Sequence, residues 1–387
     1  MISDVDTNVL ATEPFKKVDR NSGTHSTWVA VSTCINHTAT PSALPAPRAG
    51  HTVTLCTGDG SPCALIFGGA STEDGYYNTL FSLDLTTYIW TNLLESTMST
   101  TPLPRYEHAA CMARSEKWGN SQERLVILFG GASEGPMNDI WSFDLKQRRW
   151  EQVHAQSISQ HPPTARTLHT VARIRTSSAV DDHVPHDRIY IFGGGMHQDV
   201  PVEDDCMHCL DMDHMVWIVV HPGAGGHDEM VPESRLGHTL SAVGKNVIMF
   251  GGMSKWKHYD DLWVFDTEKY TWFKPNVSGQ RPDGRSAHSA TVMGTDIVIF
   301  GGLVNRTQLT VTDEVYILST DTWTWRKEYP AFLPHDTPGS RIDHDACAIP
   351  VPLHTSCDPS TFTRKMCLVG GMNLDSVFND VFELCLE

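Results

Sequence analysis

Apolar residues along this chain come in short β-branched and aromatic runs closed by paired glycines, and residues 235–272 hold one complete unit. Val247, Ile248, Met249 and Phe250 precede Gly251 and Gly252, which predicts a strand buried on both faces that ends in a turn needing positive φ. Residues 239–243 predict a strand before it, residues 262–266 a third after it, and Trp272 begins a fourth. Four antiparallel strands make one small sheet, which cannot cover both of its faces alone.

The unit occurs six times. Arg-x-x-His opens the copies at Arg48/His51, Arg105/His108, Arg166/His169, Arg235/His238, Arg285/His288 and Arg341/His344. The doublets follow at Gly68/Gly69, Gly130/Gly131, Gly193/Gly194, Gly251/Gly252, Gly301/Gly302 and Gly370/Gly371. A polar pair precedes each third strand: Asn78-Thr79, Asn138-Asp139, Asp204-Asp205, Asp260-Asp261, Asp313-Glu314 and Asn379-Asp380. From its second residue to the next tryptophan is 11 residues for Trp90, Trp150, Trp272 and Trp325, and 12 for Trp217. This period predicts an all-β, six-bladed propeller with blades near residues 45–95, 104–153, 163–220, 233–274, 283–328 and 339–387. The sixth copy has no tryptophan strand, and the one strand-like run with a spare tryptophan is residues 27–32 around Trp28. Its pairing with the last copy closes the ring and removes two exposed edges. Residues 1–26, polar and aperiodic, predict a flexible leader, and residues 27–387 the propeller.

Spacing from the motif histidine to the doublet is 13 residues in copies four and five, then 17, 22, 24 and 26 in copies one, two, three and six. The surplus, at residues 115–123, 176–187 and 350–364, predicts long hairpins between first and second strands. In such a blade these hairpins share one face of the disc with the third-to-fourth turns. The loops after the doublets share the other with the arginine motifs, and a binding face can be built there.

A formal charge of -17 argues against a nucleic-acid surface. No apolar run approaches the roughly 20 residues of a membrane span, so no direct membrane insertion is expected. Residues 1–17 lack the apolar core of a secretory signal. The ten cysteines then read as reduced cytoplasmic thiols, and the Asn-x-Ser/Thr triplets at Asn36, Asn276 and Asn305 as chance.

The doublets with their spaced tryptophans resemble the kelch motif over essentially the whole chain from Trp28. Leu103-Pro104-Arg105-Tyr106-Glu107-His108-Ala109, Arg166-Thr167-Leu168-His169-Thr170, Ile191-Phe192-Gly193-Gly194-Gly195, Tyr259-Asp260-Asp261-Leu262, Ala287-His288-Ser289-Ala290 and Arg341-Ile342-Asp343-His344 resemble the Rab effector proteins with kelch motifs. That resemblance implies a six-bladed kelch propeller without accessory domains, acting as a non-enzymatic effector. It implies binding to a late-endosomal Rab-type GTPase in its GTP state, in support of endosome to trans-Golgi transport. No cofactor is expected, and the expected form is a cytoplasmic monomer, peripheral on endosomal membranes. No binding residue carries over from the family.

The residues themselves offer two candidate sites. The ring of Arg48, Arg105, Arg166, Arg235, Arg285 and Arg341 could hold an acidic peptide near the axis, which defines a rival scaffold function, or each could bond blade backbone. On the loops after the doublets, Trp256, Lys257, His258, Tyr259, Tyr76, Tyr77, Met137 and Arg306 are candidate partner contacts, with Trp256 foremost. Trp118 and Trp323 also fall outside the strand registers. Cys206 and Cys209 resemble half a zinc site, but on a strand they point to opposite faces, and His183 and His186 read as a solvated loop. No Glu-x-x-x-Asp-x-x-x-His iron motif and no convincing Ser/His/Asp set occurs, so no metal or catalytic residue is expected.

Overall fold

A computed structural model of the chain describes residues 26–35, 44–58, 60–94, 100–119, 123–132, 135–158, 162–176, 186–197, 200–220, 231–331, 337–350 and 364–386. The leader and the hairpin residues 120–122, 177–185 and 351–363 lie outside the described residues. The fourth unit forms an antiparallel sheet in chain order from Leu236–Val243, Asn246–Ser254, Leu262–Asp266 and Thr271–Phe273. Its second strand is apolar at every central position because it faces two cores. Val247 and Met249 pack with Phe265 and Trp272 against the third sheet, while Ile248 and Phe250 pack with Val264 against the fifth. A strand covered on both sides needs no polar alternation.

Among the described residues, five more sheets follow this pattern, beginning with Ala49–Cys56, Ala109–Arg114, Thr170–Thr176, Ser289–Met293 and Asp345–Ile349. These first strands neighbour one another in a closed circuit, since Asp345–Ile349 lies beside both Ser289–Met293 and Ala49–Cys56. Ser26–Ala30 supplies the outermost strand of the last sheet, antiparallel to Val377–Leu386 with Trp28 opposite Leu384. Trp28 is buried, with its ring centroid 5.0 Å from Phe300 and 6.4 Å from Phe382. The chain then runs to the first sheet, where Cys34–Ile35 pairs in parallel with Ile89–Asn92.

The closed circuit is also written in the backbone. The residue before each motif histidine has positive φ: Gly50, Glu107, Leu168, Gly237, Ala287 and Asp343. Their amides bond in a cycle. Glu107 N donates to Gly50 O (2.8 Å), Leu168 N to Glu107 O (3.1 Å), Gly237 N to Leu168 O (2.9 Å), Ala287 N to Gly237 O (2.9 Å), Asp343 N to Ala287 O (3.2 Å) and Gly50 N to Asp343 O (2.8 Å). Four of the six are not glycine, so each holds a conformation that costs about 1 kcal/mol or more, and the shared cycle offsets it.

Two registers differ from the sequence expectation. In the third sheet, Cys206 precedes the buried Met207 as Thr79 precedes Leu80 in the first. Counted from Cys206, Trp217 stands 11 residues on, so the apparent 12-residue spacing vanishes. In the second sheet, Leu128 opposes Ala109 as Phe67 opposes Thr52, which shifts the positive-φ pair to Phe129 and Gly130. The Phe129 side chain is accommodated because it fills the joint with the third sheet, against His169 and Trp217.

Among the described residues no helix is long and apolar enough to cross a membrane. Truncating Trp28 to Ala removes the aromatic wedge under the closing strand and is expected to cost about 3–5 kcal/mol, read as a lowered denaturant midpoint in chemical unfolding.

Candidate protein-binding face

The arginine motifs face inward to their own blades and do not line the axis. All six arginines are buried. One Nη of each donates to the carbonyl at the first positive-φ position of its own turn: Gly68, Phe129, Gly193, Gly251, Gly301 and Gly370, at 2.8–3.0 Å. The same guanidinium reaches the polar residue before the third strand. Asp139, Asp204, Asp261, Glu314 and Asp380 accept in five blades, and Thr79 Oγ1 in the first. Arg48, without a carboxylate, lies 4.6 Å from the Tyr77 ring centroid, and burial lowers it to about 10 while Tyr77 acts the other way. In the third blade Asp204 reaches back for this task, because the equivalent position is Cys206. Burial would raise that carboxyl, but His208 and Arg166 hold it well below the usual range. The acidic-peptide reading of the arginine ring therefore loses its donors to the fold.

Each motif histidine belongs to the preceding blade's doublet. A Cβ added at Gly251 would meet His288 Cε1 at 2.9 Å and Arg285 O at 2.6 Å, and one at Gly252 would meet His238 Cβ at 2.8 Å. Glycine is required at both places because the first seats the next blade's motif and the second seats its own. Burial first, then the neighbouring arginine, holds His51, His169 and His238 at about 3, and His108, His288 and His344 well below their ordinary value.

What remains exposed on this face is raised on loops and mixes charged side chains such as Glu73, Asp74, Lys255 and Lys257 with apolar ones. Tyr76, Met196, Val200, Trp256, Leu309 and Leu374 are exposed at or near the tips of the loops after the doublets in five of the six blades. Five of the six loops are anchored at the far end by the next motif: Arg105 N donates to Tyr77 O, Arg166 N to Met137 O, Arg285 N to Tyr259 O, Arg341 N to Thr312 O and Arg48 N to Phe378 O. Trp256, 68% exposed, sits on a two-residue turn in which Lys255 and Trp256 both have positive φ, between the paired Ser254 and Lys257. Glycine or asparagine normally serves such a turn, so a tryptophan there is held outward at a conformational cost.

The other candidates divide. Tyr76 is exposed and stacks at 5.2 Å on Tyr106, a contact that no motif announces. Lys257 is exposed beside Glu233. Tyr259 is withdrawn from the surface, buried 3.9 Å from the Arg235 guanidinium with its hydroxyl donating to Glu233. The Tyr77 hydroxyl donates to Asp74 and accepts from Ser71, His258 and Met137 are half-buried, and Arg306 is held by Asp283 and Glu314. Trp118 lies 4.9 Å from the Arg124 guanidinium and packs on the joint of blades two and three. Trp323 occupies the positive-φ turn position that Tyr88, Met215 and Tyr270 fill elsewhere.

At the axis, a cavity of about 280 Å³ is rimmed by Glu107 and Asp343, on either side of Gly50 in the backbone cycle. Burial, then mutual repulsion, raises Glu107 to about 8, and burial raises Asp343 to about 6. Elsewhere Glu116, His186 and Asp213 bring ligand-type atoms within 4.8 Å of one another. Asp213 raises the His186 imidazole, consistent with an ion pair inside blade three, beside Glu116 of blade two. His183 lies outside the described residues.

The comparisons with known proteins agree with this geometry. The model of the KLHDC2/KLHL20/DRC7 Kelch-repeats domain matches residues 19–180 and 176–387. The chain is 28% identical over 240 residues to the Rab9 effector protein with kelch motifs of Mus musculus, covering 61% of this chain and 54% of that protein. The Gallus gallus counterpart is 30% identical over 218 residues, covering 56% and 51%. Host cell factor 1 of Rattus norvegicus is 28% identical over 255 residues, 58% of this chain and 11% of its own. The chain thus spans about half the length of the Rab9-effector relatives.

Two outcomes follow. Arg235→Ala strands Asp261 and the Gly251 carbonyl, and should cost about 3–5 kcal/mol in denaturant unfolding. Glu107→Gln tests the axial carboxyl. A folded value raised above the unfolded one contributes stability at low pH that is lost as pH climbs through about 8. The variant should therefore gain on the wild type between about pH 4 and 8, in paired melts across that range, and a constant difference would contradict the assignment.

Proposed function

We propose that this chain, which belongs to the KLHDC2/KLHL20/DRC7 Kelch-repeats domain family, is a non-enzymatic effector that binds a GTP-loaded Rab GTPase. Residues 27–387 act as one ring-shaped unit in this reading, and the role is support of endosome to trans-Golgi transport. The single observation that carries the proposal is the set of apolar tips around one face, led by Trp256, on turns fixed from below by the arginine motifs. Preformed aromatic anchors lose little entropy on association. They suit the switch segments of a GTPase, which the γ-phosphate orders and hydrolysis releases. The kelch proteins it resembles carry Rab9 in their name, which makes Rab9 the first partner to try. The rival acidic-peptide scaffold has less support, since the six arginines are spent on blade contacts.

Pull-down of the purified chain with GTP-loaded and GDP-loaded Rab9 should recover it with the GTP form, and equal recovery in both states removes the effector reading. Trp256→Ala should weaken capture about thirtyfold, as loss of a roughly 2 kcal/mol anchor, while the melting temperature stays within a degree or two because the side chain is exposed.

A further inference from the structure

The opposite face of the disc carries a cavity of different chemistry. It measures about 920 Å³ and shares the lining residues Val53 and Ala110 with the axial cavity. Its wall is formed by the first strands of blades one to three with the turn at Leu145 and Lys146, and it is lined by Arg114, Lys146, Arg173, Arg175 and Glu123. Arg114 meets Glu123 through Nε (3.3 Å); Arg173 uses Nη1 for both Glu123 (3.2 Å) and Asp187 (3.3 Å); Arg175 uses Nη2 for Glu123 (3.0 Å) and Nε for Asp187 (3.0 Å). Four cations against two carboxylates leave two positive charges, in a chain whose formal charge is -17.

The arginines are not used up as those of the motifs are. Their side chains are 45%, 31% and 34% exposed. Both Nη groups of Arg114, Nε and Nη2 of Arg173 and Nη1 of Arg175 make no hydrogen bond to the described residues. Lys146 is exposed without an ion pair among them. Several forked donors converging on a partly walled cavity match an anion with several acceptor oxygens. Such an anion must carry more than one charge to gain against Glu123 and Asp187, which already stand there.

We propose that this cavity is a binding site for a multivalent oxyanion of the phosphate class, gripped by Arg114, Arg173 and Arg175 with Lys146 at the edge. The site lies on the face away from the Rab-contact tips and does not depend on that reading.

The test is calorimetric titration of the whole chain with sodium phosphate and with pyrophosphate, against sodium chloride at matched ionic strength. One saturable site is expected, tighter for pyrophosphate. Arg114→Gln combined with Lys146→Gln should weaken it about tenfold or more, the loss of a charge-assisted contact. These two side chains do not bond the buried Asp187, so the double variant should keep the wild-type melting temperature. Arg173→Gln serves as the second variant, its fold checked by circular dichroism before titration. No heat beyond the chloride control, or pyrophosphate affinity within threefold of wild type in the folded variants, overturns the proposal.

Discussion

A buried guanidinium must be given acceptors or it unfolds the segment that holds it, and this chain meets that demand six times in the same way. Each guanidinium bonds both the carbonyl at a positive-φ position and a polar residue near the start of the third strand. The arginine therefore locks three elements of its blade: its own first strand, the turn after the second, and the start of the third. Burial makes the lock strict, since a displaced carboxylate would leave an unpaired charge worth several kcal/mol. The loops between those anchored points are then free to differ in sequence without losing position.

The blades lock to one another by a second device, and it explains the rest of the motif. Between arginine and histidine the backbone takes a left-handed residue whose amide and carbonyl link to the two neighbouring blades. In five joints the histidine then fits over the neighbouring glycine, where a missing Cβ leaves room, and in the sixth His169 packs on Phe129. Since each imidazole is buried and neutral, these six joints lose strength as pH falls below the ordinary histidine value. The unfolded chain takes up protons there that the folded chain refuses. Arg-x-x-His and Gly-Gly are thus two halves of one contact, split across blades.

Much of this was legible in the residues. Repetition set the strands, the absent sixth tryptophan pointed to Trp28, and the recurrence of arginine in every copy already favoured a structural task. What was not legible depended on register. Cys206 has no sequence mark that it stands where Thr79 and Asp139 stand, because Asp204 reaches the arginine from two residues earlier and hides the shift. Phe129 gives no sign that it holds a left-handed turn, since a bulky residue there survives only by filling a joint three-dimensional neighbours create. Tyr259 read as a loop aromatic, but Arg235 and Glu233 draw it beneath the surface. Trp256, three residues earlier, has no such partner and stays out.

The division between buried and free charge separates architecture from recognition across the whole disc. On one face every motif arginine and histidine is committed, so specificity there must come from loop tips, which mix apolar and charged residues and differ from blade to blade. A surface of that kind distinguishes partners by shape and by the order of their segments. On the other face Arg114, Arg173 and Arg175 retain donors that the blades do not consume. An axial cavity rimmed by carboxyls and a second cavity lined by guanidiniums differ in chemistry, so the two faces present different demands to whatever approaches them, and a ring of near-equal blades becomes a two-sided molecule.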